Sequence, residues 1–135
     1  MENFENLVTN LPELLILFFI FITFLQSGLD KITDWSGNIS WLKGHFEKTF
    51  MRGMVPVMVG IILVTEVIAG LMALWGIYSI YSTGDKSIAL YACVLAAITL
   101  LMLLFGQRVA KDYAGAFTIT GYFMVVVFGV YLMTS

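Results

Sequence analysis

Glu66 is the one charged residue set deep inside a long apolar run of this sequence. It follows Pro56 by ten residues, so on a helix rising ~1.5 Å per residue it would lie roughly 15 Å below the start, near the midplane of a bilayer. A carboxylate at that depth costs several kcal/mol unless it is protonated or paired. It has two uses there: relaying protons, or hydrogen-bonding a neighbouring helix. A second group of polar residues sits at the end of the first apolar run. Gln26, Asp30 and Asp34 recur at i, i+4 and i+8, with Ser27 and Lys31 on the neighbouring stripe and Gly28 between them. Lys31 suits a helix C-terminus and Asp30 does not, so Asp30 calls for a cation. Arg108, Lys111 and Asp112 fall on the same side of the chain's path. The expectation is a charged mouth in which Arg108 or Lys111 meets Asp30 and Asp112 meets Lys31, with Glu66 reached from it. The same residues also read as an ordinary row of solvated loop charges.

Other chemistries are absent from the sequence. Cys93 is a single cysteine and cannot form an intramolecular disulfide or a redox pair. His45 is a single histidine, too few for a bis-histidine haem or a zinc site. No P-loop, HExxH or GxSxG motif occurs. The net charge of −2 provides no basic field, so nucleic acid is not an expected partner. Tyr113 and Tyr122 read either as belt and packing residues or as the lining of a quinone or lipid slot. Asn38-Ile39-Ser40 matches a glycosylation sequon that matters only in a eukaryotic secretory lumen.

The elements that must position these residues follow from composition. Of the 135 residues, 60% are apolar and 12% charged, and the mean hydropathy is +0.94. Soluble domains are about half apolar and roughly a quarter charged, and a chain this short has too little interior to hide the excess. Four apolar runs are long enough to cross the ~30 Å hydrocarbon layer: about 12–32, 55–80, 88–106 and 114–133. They are too long for barrel strands, and backbone satisfaction in lipid requires helices. The expected fold is an all-α membrane protein, one four-helix transmembrane bundle. Pro12 and Pro56 suit first helical turns. The first run follows Glu2 and Glu5, with no cation before it and no small-residue cleavage site after it, so it reads as a retained span.

The long first loop turns at Ser36-Gly37-Asn38, and then Ile39, Leu42, Phe46 and Phe50 recur at helical spacing. This predicts an interfacial amphipathic helix over about 39–52, with Trp35 and Trp41 at headgroup depth. Loop 2 is a tight turn around Thr83-Gly84-Asp85, and loop 3, 107–113, is short and polar. Loops 1 and 3 share one side and hold Lys31, Lys43, Lys48, Arg52, Arg108 and Lys111, whereas the other side holds Lys86. The positive-inside rule then places both termini outside the cytoplasm. Ala69, Gly70 and Ala73, and on the next span Ala89, Cys93 and Ala97 with Ala92 and Ala96, form small-residue faces for bundle packing or for another subunit.

Phe24-Leu25-Gln26-Ser27-Gly28-Leu29-Asp30-Lys31-Ile32 resembles the first-helix signature of the DoxX-like membrane family, whose core is Ser-Gly-x-x-Lys. The stretch 55–70, with Glu66 four residues before Gly70, is similar to that family's second helix, and Lys111-Asp112-Tyr113-Ala114 through Gly121 to its entry into the fourth. Asp34-Trp35-Ser36-Gly37-Asn38 and the run Gly106 to Asp112 resemble short members from Bacteroidota. The resemblance covers nearly the whole chain and implies a four-helix bundle of the bacterial inner membrane. Family members are associated with thiosulfate:quinone oxidoreduction, methylamine-dehydrogenase maturation and redox defence beside partner enzymes. The chain departs from the family pattern in lacking a basic N-terminus and a cysteine pair.

These readings lead to an accessory subunit of a larger membrane complex. It would be no enzyme by itself, would have no intrinsic cofactor, and would have quinone as the implied redox partner. The alternatives are a quinone-site or proton-relay component using Glu66, a small-molecule or lipid transporter acting as an oligomer, and a chaperone-like assembly factor.

Overall fold

The computed structural model describes residues 2–135. Among them are six helices and no strand: α1 (Glu2–Thr9), α2 (Leu11–Thr33), α3 (Trp35–His45), α4 (Val55–Thr83), α5 (Ser87–Val109) and α6 (Tyr113–Thr134). Helices α2, α4, α5 and α6 are each long and apolar enough to cross a membrane, and the protein is an all-α four-span bundle. Pro12 and Pro56 lie in the first turns of α2 and α4, where a missing N–H costs nothing. Gly84, at φ 77°, ends α4 in the left-handed conformation that glycine adopts freely.

Helix α2 packs on α4, α4 on α5 and α5 on α6, while α6 returns to α2 along a looser seam. The small residues are consumed in these contacts. Ala69, Gly70, Ala73 and Gly76 of α4, and Ala89, Ala92, Cys93 and Ala96 of α5, are all buried, so these faces serve the bundle itself. A Cβ on Gly76 would stand 2.9 Å from Ala89 Cα, and one on Gly129 would stand 2.8 Å from Ile16 Cγ2. Helices α4 and α5, and likewise α2 and α6, therefore pinch together toward the loop-2 side. Lipid-facing side chains such as Phe117, Tyr131 and Trp75 remain exposed, as expected where the solvent is hydrocarbon.

Loop 1 differs from the expected 39–52 helix. Ser36, Gly37 and Asn38 lie inside α3, and the helix ends at His45. Asp34 makes the early start: its carboxylate packs on Gly37, where a Cβ would meet Oδ2 at 2.5 Å, and its carbonyl accepts from Asn38 Nδ2 at 2.8 Å. Residues 46–54 are turns because tertiary burial takes over. Phe46 and Met51 join Ile39, Val55 and Val59 in a small second core, while Phe50 is left 71% exposed. Loop 1 is thus a cap, α3 plus a folded turn, wedged over the ends of α4 and α5.

Glu66 sits in the first half of α4. Helix α4 has 29 residues, about 43 Å at ~1.5 Å per residue, so it outruns the ~30 Å hydrocarbon layer. Its first turns belong to the capped core, and Gly28, near the end of α2, packs against Val67 and Leu63. Glu66 is therefore level with the end of α2, in the loop-1 half of the bundle.

Candidate functional site

At that level Lys31 Nζ stands 2.8 Å from Glu66 Oε1. The side chains are 17% and 3% exposed, respectively. This is an ion pair with incomplete hydrogen bonding. Nζ donates an aligned hydrogen bond to Ser27 Oγ at 2.8 Å, whereas Oε1 is enclosed and has no aligned donor. Gly28 makes the meeting possible, because a side chain there would strike Val67 and hold α2 off α4. Lys31 extends its apolar stem along the helix and places its ammonium on the one carboxyl buried in the middle of a span.

Two cavities flank the pair. The larger, about 540 Å³, lies under the cap between α4 and α5. Its walls are apolar, with Met58, Ile62, Leu101 and Phe105 among them, and its polar residues are Lys31, His45, Gln107 and Asp112. The His45 ring stacks on Trp41 at 4.7 Å and stands 3.8 Å from Asp112 Oδ2. The smaller, about 360 Å³, opens in the seam between α2 and α6 and is lined by Thr23, Gln26, Ser27, Asp30, Glu66 and Tyr122. The seam is closed at Ile16–Gly129 and at the edge-on Phe19–Tyr122 pair (5.8 Å), and it splays open beyond them. A few polar groups converging on an apolar cavity is the usual form of a small-molecule site.

The structure regroups the residues expected at a charged mouth. Lys31 and Glu66 pair directly, and Gln26 and Asp30 join Glu66 around the smaller cavity. Asp112 lines the larger cavity and faces His45, not Lys31. Arg108 and Lys111 do not reach Asp30. The Arg108 guanidinium lies over the Tyr113 ring at 5.0 Å, and Lys111 is exposed at φ 62°. Backbone geometry decides this. The N–H of Asp112 bonds the Gln107 carbonyl at 2.8 Å and that of Lys111 bonds the Arg108 carbonyl at 3.2 Å, a Schellman closure that points Lys111 outward. Asp112 Oδ1 then accepts from Gly115 N at 3.0 Å as the N-cap of α6. Of the two tyrosines considered for a slot, Tyr122 lines the smaller cavity and Tyr113 is exposed beneath Arg108.

The sequence reading assigned His45 and Gln107 no place in a site and took Trp41 as a headgroup-depth residue. Only loop 1 folding back over α5 brings them to one cavity, and no spacing rule signals that. On the opposite side, α1 docks on the end of α4 through Asn6 Nδ2 to the Tyr81 carbonyl (3.2 Å), and Lys86 pairs with the buried Glu13 at 3.0 Å. The chain matches no family model, no curated protein and no solved structure.

Proposed function

We propose that this chain binds a lipid-soluble amphiphile at the loop-1 end of its bundle and works as an accessory subunit of a larger membrane complex. The observation that carries the reading is the capped cavity of about 540 Å³, apolar along its walls, with Lys31, His45, Gln107 and Asp112 as its polar residues. Its size falls within the range of small-molecule sites. Its position between spanning helices lets a ligand enter from the hydrocarbon. The DoxX-like first-helix signature supports a quinone-linked redox setting in a bacterial inner membrane. Residues Ser27, Gly28 and Lys31 of that signature form one side of the buried pair. Membership of that family and the quinone itself are parts of this proposal. A second reading, Glu66 as a proton relay, is favoured by the polar crevice that Glu66 lines.

The orientation proposed with it places loops 1 and 3 in the cytoplasm and both termini outside. Lys31 is neutralised by Glu66 and Lys86 by Glu13, which leaves exposed Lys43, Lys48, Arg52, Arg108 and Lys111 on the loop-1 side.

The test is extraction of the tagged protein from its native membrane in a mild detergent, followed by mass spectrometry of co-purifying proteins and of solvent-extracted lipids. A stoichiometric protein partner together with an enriched amphiphile is the expected result. A protein that emerges with neither overturns the reading.

A further inference from the structure

The two cavities meet the ion pair from different sides. Lys31 lines the apolar cavity under the cap, and Glu66 lines the polar crevice at the α2–α6 seam. The pair is therefore a partition whose cationic half faces one chamber and whose anionic half faces the other. We propose that the capped cavity takes an anionic single-chain amphiphile, and that its binding is coupled to uptake of one proton by Glu66 through the crevice. The proposal rests on the binding reading above and gives that reading a ligand class.

The argument is one of charge balance. The cavity walls suit a chain, and the ammonium of Lys31 is the fixed positive charge among its lining residues. An anionic head that reaches Lys31 shares the cation with Glu66. Two anions on one cation would leave a net negative charge beside Glu66, whose side chain is 3% exposed, and an uncompensated buried charge is unfavourable. Protonation of Glu66 removes that charge. The balance is one anion and one proton in, with Lys31 remaining an ammonium, now paired to the ligand, and Glu66 becoming a neutral carboxyl. No other bond changes. The proton has a route, because the crevice beside Glu66 is lined by Thr23, Gln26, Ser27 and Tyr122 and reaches exposed Asp30. When Lys31 shifts to the ligand, Oε1 loses the ammonium now 2.8 Å away, and the proton replaces it.

The other titratable groups facing the two chambers are Asp30 on α2, His45 on α3, Asp112 between α5 and α6, and Tyr122 on α6. Among the lining residues, α4 brings Glu66 alone and α5 brings none. His45 carries the imidazole that lines the capped cavity, so it is the control.

The experiment uses the full chain in nanodiscs of zwitterionic lipid. The probes are a long-chain alkyl sulfonate, which stays ionised and cannot carry the proton itself, and the alcohol of the same chain length. Calorimetry in two buffers of different ionisation heat counts the protons taken up. The wild type is expected to take up about one proton per sulfonate bound, to lose affinity about tenfold per pH unit on the alkaline side, and to bind the alcohol more weakly with no uptake. Glu66→Gln should bind the sulfonate with no proton and a flat pH profile. His45→Gln should keep the uptake. Proton uptake that persists in Glu66→Gln, or equal affinity for alcohol and sulfonate, overturns the proposal and leaves the binding reading standing. Binding of neither probe by a protein of native helix content overturns both. Competition by a fatty carboxylate against a lysophosphatidate then identifies which anionic head the site prefers.

Discussion

Lys31 and Glu66 stabilise the bundle only as a pair. Taking a charge out of water costs more than its partner returns unless the geometry is complete, and here Oε1 lacks an aligned donor. Lys31→Met leaves Glu66 buried without its cation and should lower stability by on the order of 3–5 kcal/mol. The double variant Lys31→Met/Glu66→Leu should recover most of that loss, because an apolar replacement of a buried pair is often neutral or stabilising. Thermal unfolding of the three proteins in one detergent checks it, and a double variant as unstable as Lys31→Met would contradict it. Lys111 gives an opposite case. It occupies the left-handed position of a Schellman closure at φ 62°, where a side chain carries strain that glycine does not. Lys111→Gly should raise stability by about 1 kcal/mol, readable as a higher unfolding midpoint.

Between elements, the helices are held by close approach. The Cβ of Gly76→Ala would meet the Ala89 backbone at 2.9 Å, so α4 and α5 must separate. A loss of roughly 1–3 kcal/mol is expected. At Gly121 and Gly60 an added Cβ would meet nothing within 4 Å. Alanine at either should be neutral or stabilising by up to about 1 kcal/mol, since glycine is the poorer helix former. If both classes of variant unfold alike, the pinch at Gly76 is not what sets the α4–α5 distance. Cys93 is fully buried between α5 and α6 and would crowd any Cβ on Gly129 at 3.0 Å. A water-soluble maleimide should leave it unmodified until the protein is denatured. This makes the wild type a clean background for introduced cysteines.

For the molecule in its membrane, the asymmetry of exposed cations makes orientation a direct test. Cysteines introduced one at a time at Lys48 and Thr134 should label from opposite sides of intact cells, with Thr134 reached from outside by an impermeant reagent. The reverse pattern would move both cavities to the other face of the membrane. The bundle is closed at one end and open at the other. Its helices pinch on the loop-2 side, where α1 docks on α4 and Glu13 holds Lys86. On the loop-1 side α2 stays against α4 at Gly28, while the α2–α6 seam opens and the cap fills the space between α4 and α5, so both cavities lie there.

The number of spans, their helical nature and most of their ends were legible in the sequence, because apolar length and backbone satisfaction in lipid allow no other solution. Glu66 and Lys31 stood out as well, since a charge within an apolar run is visible without a structure. That these two are partners, and that the pair lies in the loop-1 half, emerged only from the packed helices, because depth depends on where α4 begins relative to its neighbours. The cavity under loop 1 was equally out of reach. Phe46 and Met51 leave the helical register to fill the gap between α4 and α5, and that contact overrides the spacing that predicted a longer helix. The role of Lys111 depended on its own left-handed conformation, and that of Arg108 on the Tyr113 ring beneath it, so neither expected partner meets Asp30.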